Sequence, residues 1–516
     1  MVSSNEVENM MKLEEVTYDV IVVGGGPSGL MASIKLKELN SNLTVIVLEK
    51  ASVIGGHSLS GAILERNELT EPFIKGLKSS TSINEDRIWH LSQWKHIDLT
   101  WLMPKSLKNG NSVLIDLPEL CVKLSEKAKQ LGVEVIECCG VNNVMRNGER
   151  VIGVELTDGS KMLSHHVFLA EGANGTVTSK LLAFHNVWVN KSLALGIREE
   201  WELTSKQHVG NVYHSFGWPS ISRNSFGGGF VYFYKSVVAI GYVTHLDYKS
   251  PYLNPSEEFN RFKAHPSVQK LLRDAVGKRL KYGARVITLS SVGSPRDACY
   301  PGCTVIGCAF GVVNTLKLKG LAMALESGCK AAINYISASG KSSENALEPW
   351  LSRKDEAKLA WSRKTTAVMK VCGITVAALV RFVSKPFVRT WVAKTDDSTT
   401  TLRASLVQPP RNWHLVDSRA DSLTDSGNTY SNRPAHITIK DKLKHKLYDL
   451  RSQDKLTSRL CPGQVYVWRK VNKHYQPFVR YENCLQCKAC CVKPSKFTVS
   501  WKPSVNGGGP NYAAAS

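Results

Sequence analysis

Tyr18-Asp-Val-Ile-Val-Val-Gly-Gly-Gly-Pro-Ser-Gly29, running on into Leu30-Met-Ala-Ser-Ile-Lys-Leu36, decides the fold of this chain. The first six residues form a short apolar, β-branched run, the pattern of a buried strand. The last seven read as a helix, so the glycines fill the turn between them. Gly24 allows a tight turn, Gly26 lets the backbone approach a pyrophosphate, and Gly29 lets the helix pack on the strand. Free N–H groups at the helix start then face the phosphates. A second apolar strand, Leu43-Thr-Val-Ile-Val-Leu48, ends at Glu49, twenty residues past Gly29. That is where an acid that binds ribose belongs. Lys50 and the Gly55-Gly56 pair suit the flavin branch of such folds better than the nicotinamide branch.

The other end of the chain carries a second redox pattern. Cys484, Cys487 and Cys490 lie in Asn483-Cys-Leu-Gln-Cys-Lys-Ala-Cys490, and Cys461 is followed at once by Pro462. Two C-x-x-C steps in series let one loop present three thiolates, and a remote Cys-Pro supplies a fourth. That is the spacing of a bacterial-type [4Fe–4S] site. Structural zinc is the competing occupant of four thiolates, but its usual signature is two separated C-x-x-C pairs. Cys491 is read as a bystander.

Composition fits a cofactor enzyme. The 516 residues are enough for two or three domains. The 13 cysteines are too scattered for a disulfide framework and point to a reducing compartment. A net charge of +22 fits an anionic membrane surface or an acidic protein partner. No nucleic-acid-binding motif accompanies it, so nucleic acid is not expected as a partner. The longest apolar stretch of the basic-flanked region, Val371–Val380, has ten residues, half of the ~20 a span needs. With the Trp94 to Lys108 stretch, centred on Trp101-Leu-Met-Pro104, it suggests monotopic attachment. Phe230-Val-Tyr-Phe-Tyr234 and its neighbours read as an inserted sheet roofing the flavin.

These motifs, in order, resemble the electron-transfer flavoprotein–ubiquinone oxidoreductase family over Tyr18 to Tyr512. The matching stretches include Gly56-His-Ser-Leu-Ser-Gly61, Ala170-Glu-Gly172, Tyr282-Gly-Ala-Arg285, Lys317-Leu-Lys-Gly320, Pro434-Ala-His436 and Gly507-Gly-Gly-Pro510. The resemblance implies an α/β FAD-binding, Rossmann-like, discontinuous domain over 18–90, 131–194 and 285–340. An α+β quinone-binding, membrane-facing domain is inserted over 91–130 and 195–284. A helical membrane-associated segment (341–395), a linker (396–434) and a C-terminal ferredoxin-like iron–sulfur domain (435–516) complete the expected order. FAD binding is carried to Val23, Gly24, Gly26, Pro27, Ser28, Gly29, Glu49, Lys50, His57, Ser60, Gly61, Glu171, Gly172, Gly307, Asn314 and Gly320. Cluster ligation is carried to Cys461, Cys484, Cys487 and Cys490, and ubiquinone binding to Gly227 and Gly228. No catalytic side chain is expected, since the cofactors carry the chemistry.

The resemblance further implies electrons from reduced electron-transfer flavoprotein, a [4Fe–4S] cluster and FAD as carriers, and ubiquinone as acceptor in the respiratory chain. It places the protein on the matrix face of the mitochondrial inner membrane, or on the plasma membrane of a bacterium. The first 17 residues carry four Glu, one Lys and no Arg, unlike a transit peptide. Phe226 and Phe233 stand where the family has Tyr and His, Phe310 where it has Pro, and Leu321 to Leu325 where it has hydroxyl-bearing residues. Both cofactors are therefore expected, with turnover weakened or the partner altered. A flavin-dependent reductase of isoprenoid lipids, or a non-catalytic paralogue, is the alternative.

Overall fold

The parallel strands Thr17–Val23 and Val45–Leu48 bury Val20 to Val23 and every residue of the second strand. Continuous Val/Ile runs of this kind are stable only when both faces of the sheet are covered. The computed structural model describes residues 17–59, 61–102, 108–173, 175–185, 190–220, 225–248, 250, 253–292, 298–311, 313, 320–338, 428, 430, 435–441, 456–471, 474–493 and 499–513. Ser60, Asn314, the Val371–Val380 stretch, the 341–395 segment and nearly all of the 396–434 linker lie outside them.

The parallel core runs in space as Glu134–Ile136, Val45–Leu48, Thr17–Val23, Lys161–Leu169 and Cys303–Val305. Numbered along the chain, that order is 3-2-1-4-5, the doubly wound dinucleotide arrangement. The order reverses beside Thr17–Val23, so the glycine turn leaves the sheet at its switch point. Helix Pro27–Leu39 follows that turn, and helix Leu321–Ala338 packs across it. Gly328 makes this crossing possible, since a Cβ there would lie 2.1 Å from the Ser28 carbonyl oxygen.

A seven-stranded sheet stands over this layer, in the order Val276–Val292, Asn190–Leu203, Val237–His245, Gly227–Phe233, Asn211–Gly217, Glu85–Leu91 and His96–Asp98. All pairs are antiparallel except Asn211–Gly217 with Glu85–Leu91. This moves the seam of the expected division. Glu85–Leu91 belongs to the roof, because it pairs with Asn211–Gly217 over seven residues and buries Trp89 and Leu91 there. The expected edges at 194/195 and 284/285 both fall inside one long pair, Asn190–Leu203 on Val276–Val292. Those two strands run through both expected boundaries and join the roof to the parallel layer, called the flavin layer below for the cofactor the sequence leads one to expect.

Among the described residues the C-terminal part holds a short helix Leu456–Leu460, the hairpin Tyr466–Val471 and His474–Val479, and the pair Ile437–Ile439 with Val499–Trp501. Leu460, Leu485, Ala489 and Val492 join the roof's apolar core. Val286 N–H donates to the Cys487 carbonyl at 3.1 Å, so the cysteine loop is pinned to the roof strand.

Candidate functional site: a glycine cradle joined to a four-cysteine centre

Gly24 has φ +113°, and a Cβ there would strike the Ala170 carbonyl oxygen at 2.6 Å. Only glycine fits such a position. Gly29 is closed from the other side, its added Cβ lying 2.2 Å from the Gly24 carbonyl oxygen. Gly26, in contrast, has nothing within 4 Å of that position, and helix Pro27–Leu39 begins there with no side-chain cap. An open glycine at an uncapped helix N-terminus is a ready anion site, and it fits a cofactor pyrophosphate. Pro27 suits the first helical turn, where its missing N–H has no intrahelical partner anyway.

The two acids carried to this site have structural partners as well. Glu49 accepts from Gly25 N–H and from Ala51 N–H, both at 2.8 Å, so its carboxylate braces the glycine turn. Glu171 accepts from Val177 N–H at 3.2 Å and Thr178 N–H at 2.6 Å, and so caps helix Thr176–Phe184. Gly172 has φ +74°, with the Arg285 guanidinium 4.0 Å from its Cβ position. Gly307 has φ +64°, accommodates Ser28, and donates its N–H to Ser327 Oγ at 3.0 Å. Val23 ends the first strand, Gly61 opens strand Gly61–Glu65, and Gly320 precedes the helix that starts at Leu321.

Cys461, Cys484, Cys487 and Cys490 line one small cavity, with Tyr466, Lys488 and Trp501. Gln486 N–H donates to Cys484 Sγ at 3.2 Å and Val465 N–H to Cys461 Sγ at 3.5 Å. Such donors favour thiolate over thiol. Against them, burial and then the neighbouring Cys490 and Cys461 hold the Cys484 thiol far above its usual range. Burial and Cys461 do the same to Cys487. Four crowded thiols become thiolates only around a metal centre. Tetrahedral zinc wants all four sulfurs ~2.3 Å from one point. Three cysteines in continuous x2 spacing with a remote Cys-Pro depart from the two separated C-x-x-C pairs usual for structural zinc. That donor set fits a cluster better.

The two sites touch. Lys50, at the end of strand Val45–Leu48, donates to Gln486 Oε1 at 2.6 Å, and its Nζ lies 3.2 Å from His57 Nδ1. Arg285 donates to the His57 carbonyl at 3.2 Å. Gly509 lies against His57, a Cβ there falling 2.2 Å from Nε2, and Tyr512 N–H donates to the Gly56 carbonyl at 2.8 Å. Enclosure first, then Arg285 and Lys488, hold the Lys50 ammonium well below its usual range. Burial and Lys50 likewise depress His57. Gln486, Lys488, Trp501 and Arg285 carry no role in the sequence motifs. The one signal for the first two is their position between the cysteines.

Gly227 and Gly228 open strand Gly227–Phe233. A Cβ on Gly227 would meet the Val243 carbonyl oxygen at 2.3 Å, and one on Gly228 the Ser215 carbonyl oxygen at 2.1 Å. The protein's own backbone therefore accounts for both glycines. Phe226 packs edge-on to His245, and Phe233 is fully buried in the roof core. Phe310 is buried in the flavin-layer core.

A switch-point glycine cradle, bonded to a four-cysteine centre, defines a flavoprotein oxidoreductase with a [4Fe–4S] cluster. Comparison with known proteins narrows this. Residues 193–287 match the ETF-QO ubiquinone-binding domain, residues 416–513 the electron transfer flavoprotein-ubiquinone oxidoreductase 4Fe-4S domain, and residues 22–91 an NAD(P)-binding Rossmann-like domain. The chain is 31% identical to the mitochondrial electron transfer flavoprotein-ubiquinone oxidoreductase of Oryza sativa subsp. japonica, over 97% of this chain and 93% of that protein. It is 29% identical to the Pseudomonas aeruginosa protein of that name, over 97% of this chain and all of that one. The chain belongs to the electron-transfer flavoprotein–ubiquinone oxidoreductase family. A solved geranylgeranyl bacteriochlorophyll reductase-like protein from Thermoplasma acidophilum shares the fold, with TM-score 0.54 and 18% identity over 72% of this chain and 97% of that one.

Proposed function

We propose that this chain takes electrons from a reduced electron-transfer flavoprotein and delivers them to ubiquinone. When bound, the cluster supplies one-electron steps and the flavin joins them to the two-electron chemistry of a quinone. The observation that carries this reading is the direct bond from Lys50 in the cradle to Gln486 between two cysteine ligands. It brings the two cofactor sites into one electron-accepting unit. Cys461, Cys484, Cys487 and Cys490 would hold the cluster. Gly24, Gly26 and Gly29, with the helix start at Pro27 and Ser28, would hold the FAD pyrophosphate. Gly227 and Gly228 would lie at the quinone site, as the family resemblance implies. The domain division given above is part of this proposal, with the roof extended to Glu85–Leu91.

A lipid-soluble quinone requires access from a membrane. Trp94, Ile97, Trp101 and Leu102 are 62%, 60%, 78% and 50% exposed at the edge of the roof sheet. Large apolar side chains clustered at such an edge favour an interfacial role. Among the described residues no helix is long and apolar enough to cross a bilayer. We place the chain on a membrane surface: the matrix face of the mitochondrial inner membrane in a eukaryote, the plasma membrane in a bacterium. Vesicles with anionic lipid should capture the wild type in flotation, and Trp94→Ser/Trp101→Ser should float several-fold less. Equal flotation would remove this patch from the account.

The test of function is reduction of a short-chain ubiquinone by detergent-solubilised protein supplied with reduced electron-transfer flavoprotein. Turnover that vanishes in Cys487→Ala supports the proposal. No turnover in protein shown to hold both cofactors would refute it.

A further inference from the structure

A ribbon a single sheet thick covers one side of the cysteine centre. In the hairpin Tyr466–Val471 and His474–Val479, Tyr466 pairs with Val479, Val467 with Phe478 and Arg469 with Gln476. Side chains of such a ribbon alternate between its two faces. On the inner face Tyr466 lines the cavity of the four cysteines, and Val479 packs against the core that holds Cys484 and Cys490. On the outer face Arg469, Gln476 and Phe478 are exposed, and the Arg469 guanidinium lies 5.2 Å from the centre of the Phe478 ring. Lys470 and Arg480 are exposed near the two ends of the ribbon.

The exposed charge here is of one sign. Among the described residues of the C-terminal part, Lys440, Arg469, Lys470, Arg480 and Lys502 are exposed, against Glu482 alone of the acids. Among the described residues no ion pair engages Arg469, Lys470 or Arg480. Cations in water need no partner, and their field reaches roughly 8–10 Å into the solvent, where it steers an approaching anion. An exposed aromatic ring with an arginine beside it is also the composition that anchors protein interfaces. Phe478 is the only large apolar side chain exposed on the described residues of this part. A lipid surface takes a broader apolar face, such as the Trp94 to Leu102 patch. Stacked sheets lie about 10 Å apart, so a protein seated on the outer face comes within about one such layer of the cysteine cavity. One electron can cross that gap without an intermediate carrier.

We propose that the outer face of this hairpin, with Arg469 and Phe478 at its centre and Lys470 and Arg480 at its ends, is the docking surface for an acidic face of the protein electron donor. Electrons then enter the chain at the cysteine centre rather than at the flavin cradle. The transfer is of one electron, lost by the reduced donor and gained by the oxidised cluster, and no bond or proton moves. The inference rests on the function proposed above and adds to it where the donor binds and by what chemistry.

The experiment measures binding of oxidised electron-transfer flavoprotein to the full chain with both cofactors, over a range of salt. Turnover with the reduced donor is measured beside it. Arg469→Glu/Arg480→Glu is compared with Lys440→Glu/Lys502→Glu, which changes the net charge equally elsewhere on the same part. At low salt the hairpin reversal is expected to weaken donor binding about tenfold and to flatten its salt dependence. KM for the donor should rise to match, with kcat and KM for a short-chain quinone unchanged. The Lys440/Lys502 reversal should stay within about twofold of wild type, as screened charges away from an interface do. Iron and flavin contents report folding. If the hairpin reversal loses iron, Arg469→Gln and Phe478→Ser replace it, each expected to bind the donor several-fold more weakly. Unchanged donor binding in the hairpin variants, or equal loss in both reversals, overturns the proposal. So does loss of flotation on anionic vesicles with donor binding intact, which would make the hairpin a lipid contact. Wild type that neither binds nor oxidises the donor removes the proposed function and this surface together. Wild-type turnover matched by the hairpin variants removes the surface alone.

Discussion

The flavin cradle and the cysteine centre are built by opposite means. The cradle rests on five parallel strands and a helix, and its glycines answer to backbone contacts a few ångströms away. The cysteine centre has short 3-10 turns and residues with left-handed backbone, Gln486 at φ 49° and Lys488 at φ 63°. It is fastened to the roof and the cradle by scattered bonds, Val286 N–H to Cys487, Tyr282 OH to the Pro462 carbonyl and Lys50 to Gln486, and by Leu460, Leu485, Ala489 and Val492 packed in the roof's apolar core. A site made of regular elements carries its stability with it. A site made of loops takes its stability from its metal and its neighbours.

The largest expected effect breaks that comparison open. Cys487→Ala, or chelation of iron, should strip protease protection from residues 456–513 and leave FAD bound in the cradle. Structural metal is worth on the order of 10 kcal/mol to a small metal-built unit. Limited proteolysis with and without iron reads this. Equal loss of flavin and of C-terminal protection would mean that the two regions fold as one.

The reciprocal change is Gly29→Ala. Its Cβ would lie 2.2 Å from the Gly24 carbonyl oxygen, a contact that backbone must move to relieve. A cost of about 2–3 kcal/mol is expected, with loss of bound FAD and retention of iron. Flavin and iron contents of the purified variant check it. Simultaneous loss of iron would show that the cysteine centre depends on the cradle more than its few bonds suggest.

A smaller effect separates the regions by pH. His166 is buried in the flavin layer, its Nε2 3.0 Å from Thr304 Oγ1, and burial pushes it down to about 3. The folded protein keeps it neutral while the unfolded chain takes a proton below about 6.5. The stability it contributes is therefore present above pH 6.5 and is lost as pH falls toward 3, by about 2 kcal/mol at pH 5. Thermal unfolding at pH 7 and pH 5, followed by bound-flavin fluorescence, should show an acid shift that His166→Leu reduces.

Much of the cradle was legible from sequence because periodicity carries it. Val20 to Val23, Val45 to Leu48 and the Gly24–Gly29 turn lie where the β-turn-α-β pattern places them. The spacing groups the four cysteines as one set, and in the structure they line one cavity. The roof's edge was less legible. Glu85–Leu91 carries no strict alternation, and only its partner strand, over a hundred residues on, fixes it in the roof. The close contacts of Gly227 and Gly228 were illegible for the same reason, since Ser215 and Val243 approach from other strands. The acids Glu49 and Glu171 acquire backbone partners that no spacing rule announces. The Lys50–Gln486 bond joins residues 436 positions apart, and no local pattern contains it.

The most direct test of the account is whether both centres accept electrons from one donor. Full-length protein loaded with FAD and iron–sulfur cluster is mixed anaerobically with reduced electron-transfer flavoprotein, then frozen for EPR and read for flavin absorbance. The account predicts a reduced-cluster signal and flavin bleaching in the same sample, both discharged when ubiquinone is added. A reduced flavin beside a cluster that stays oxidised at every donor ratio, or two reduced centres that ubiquinone leaves untouched, would contradict it.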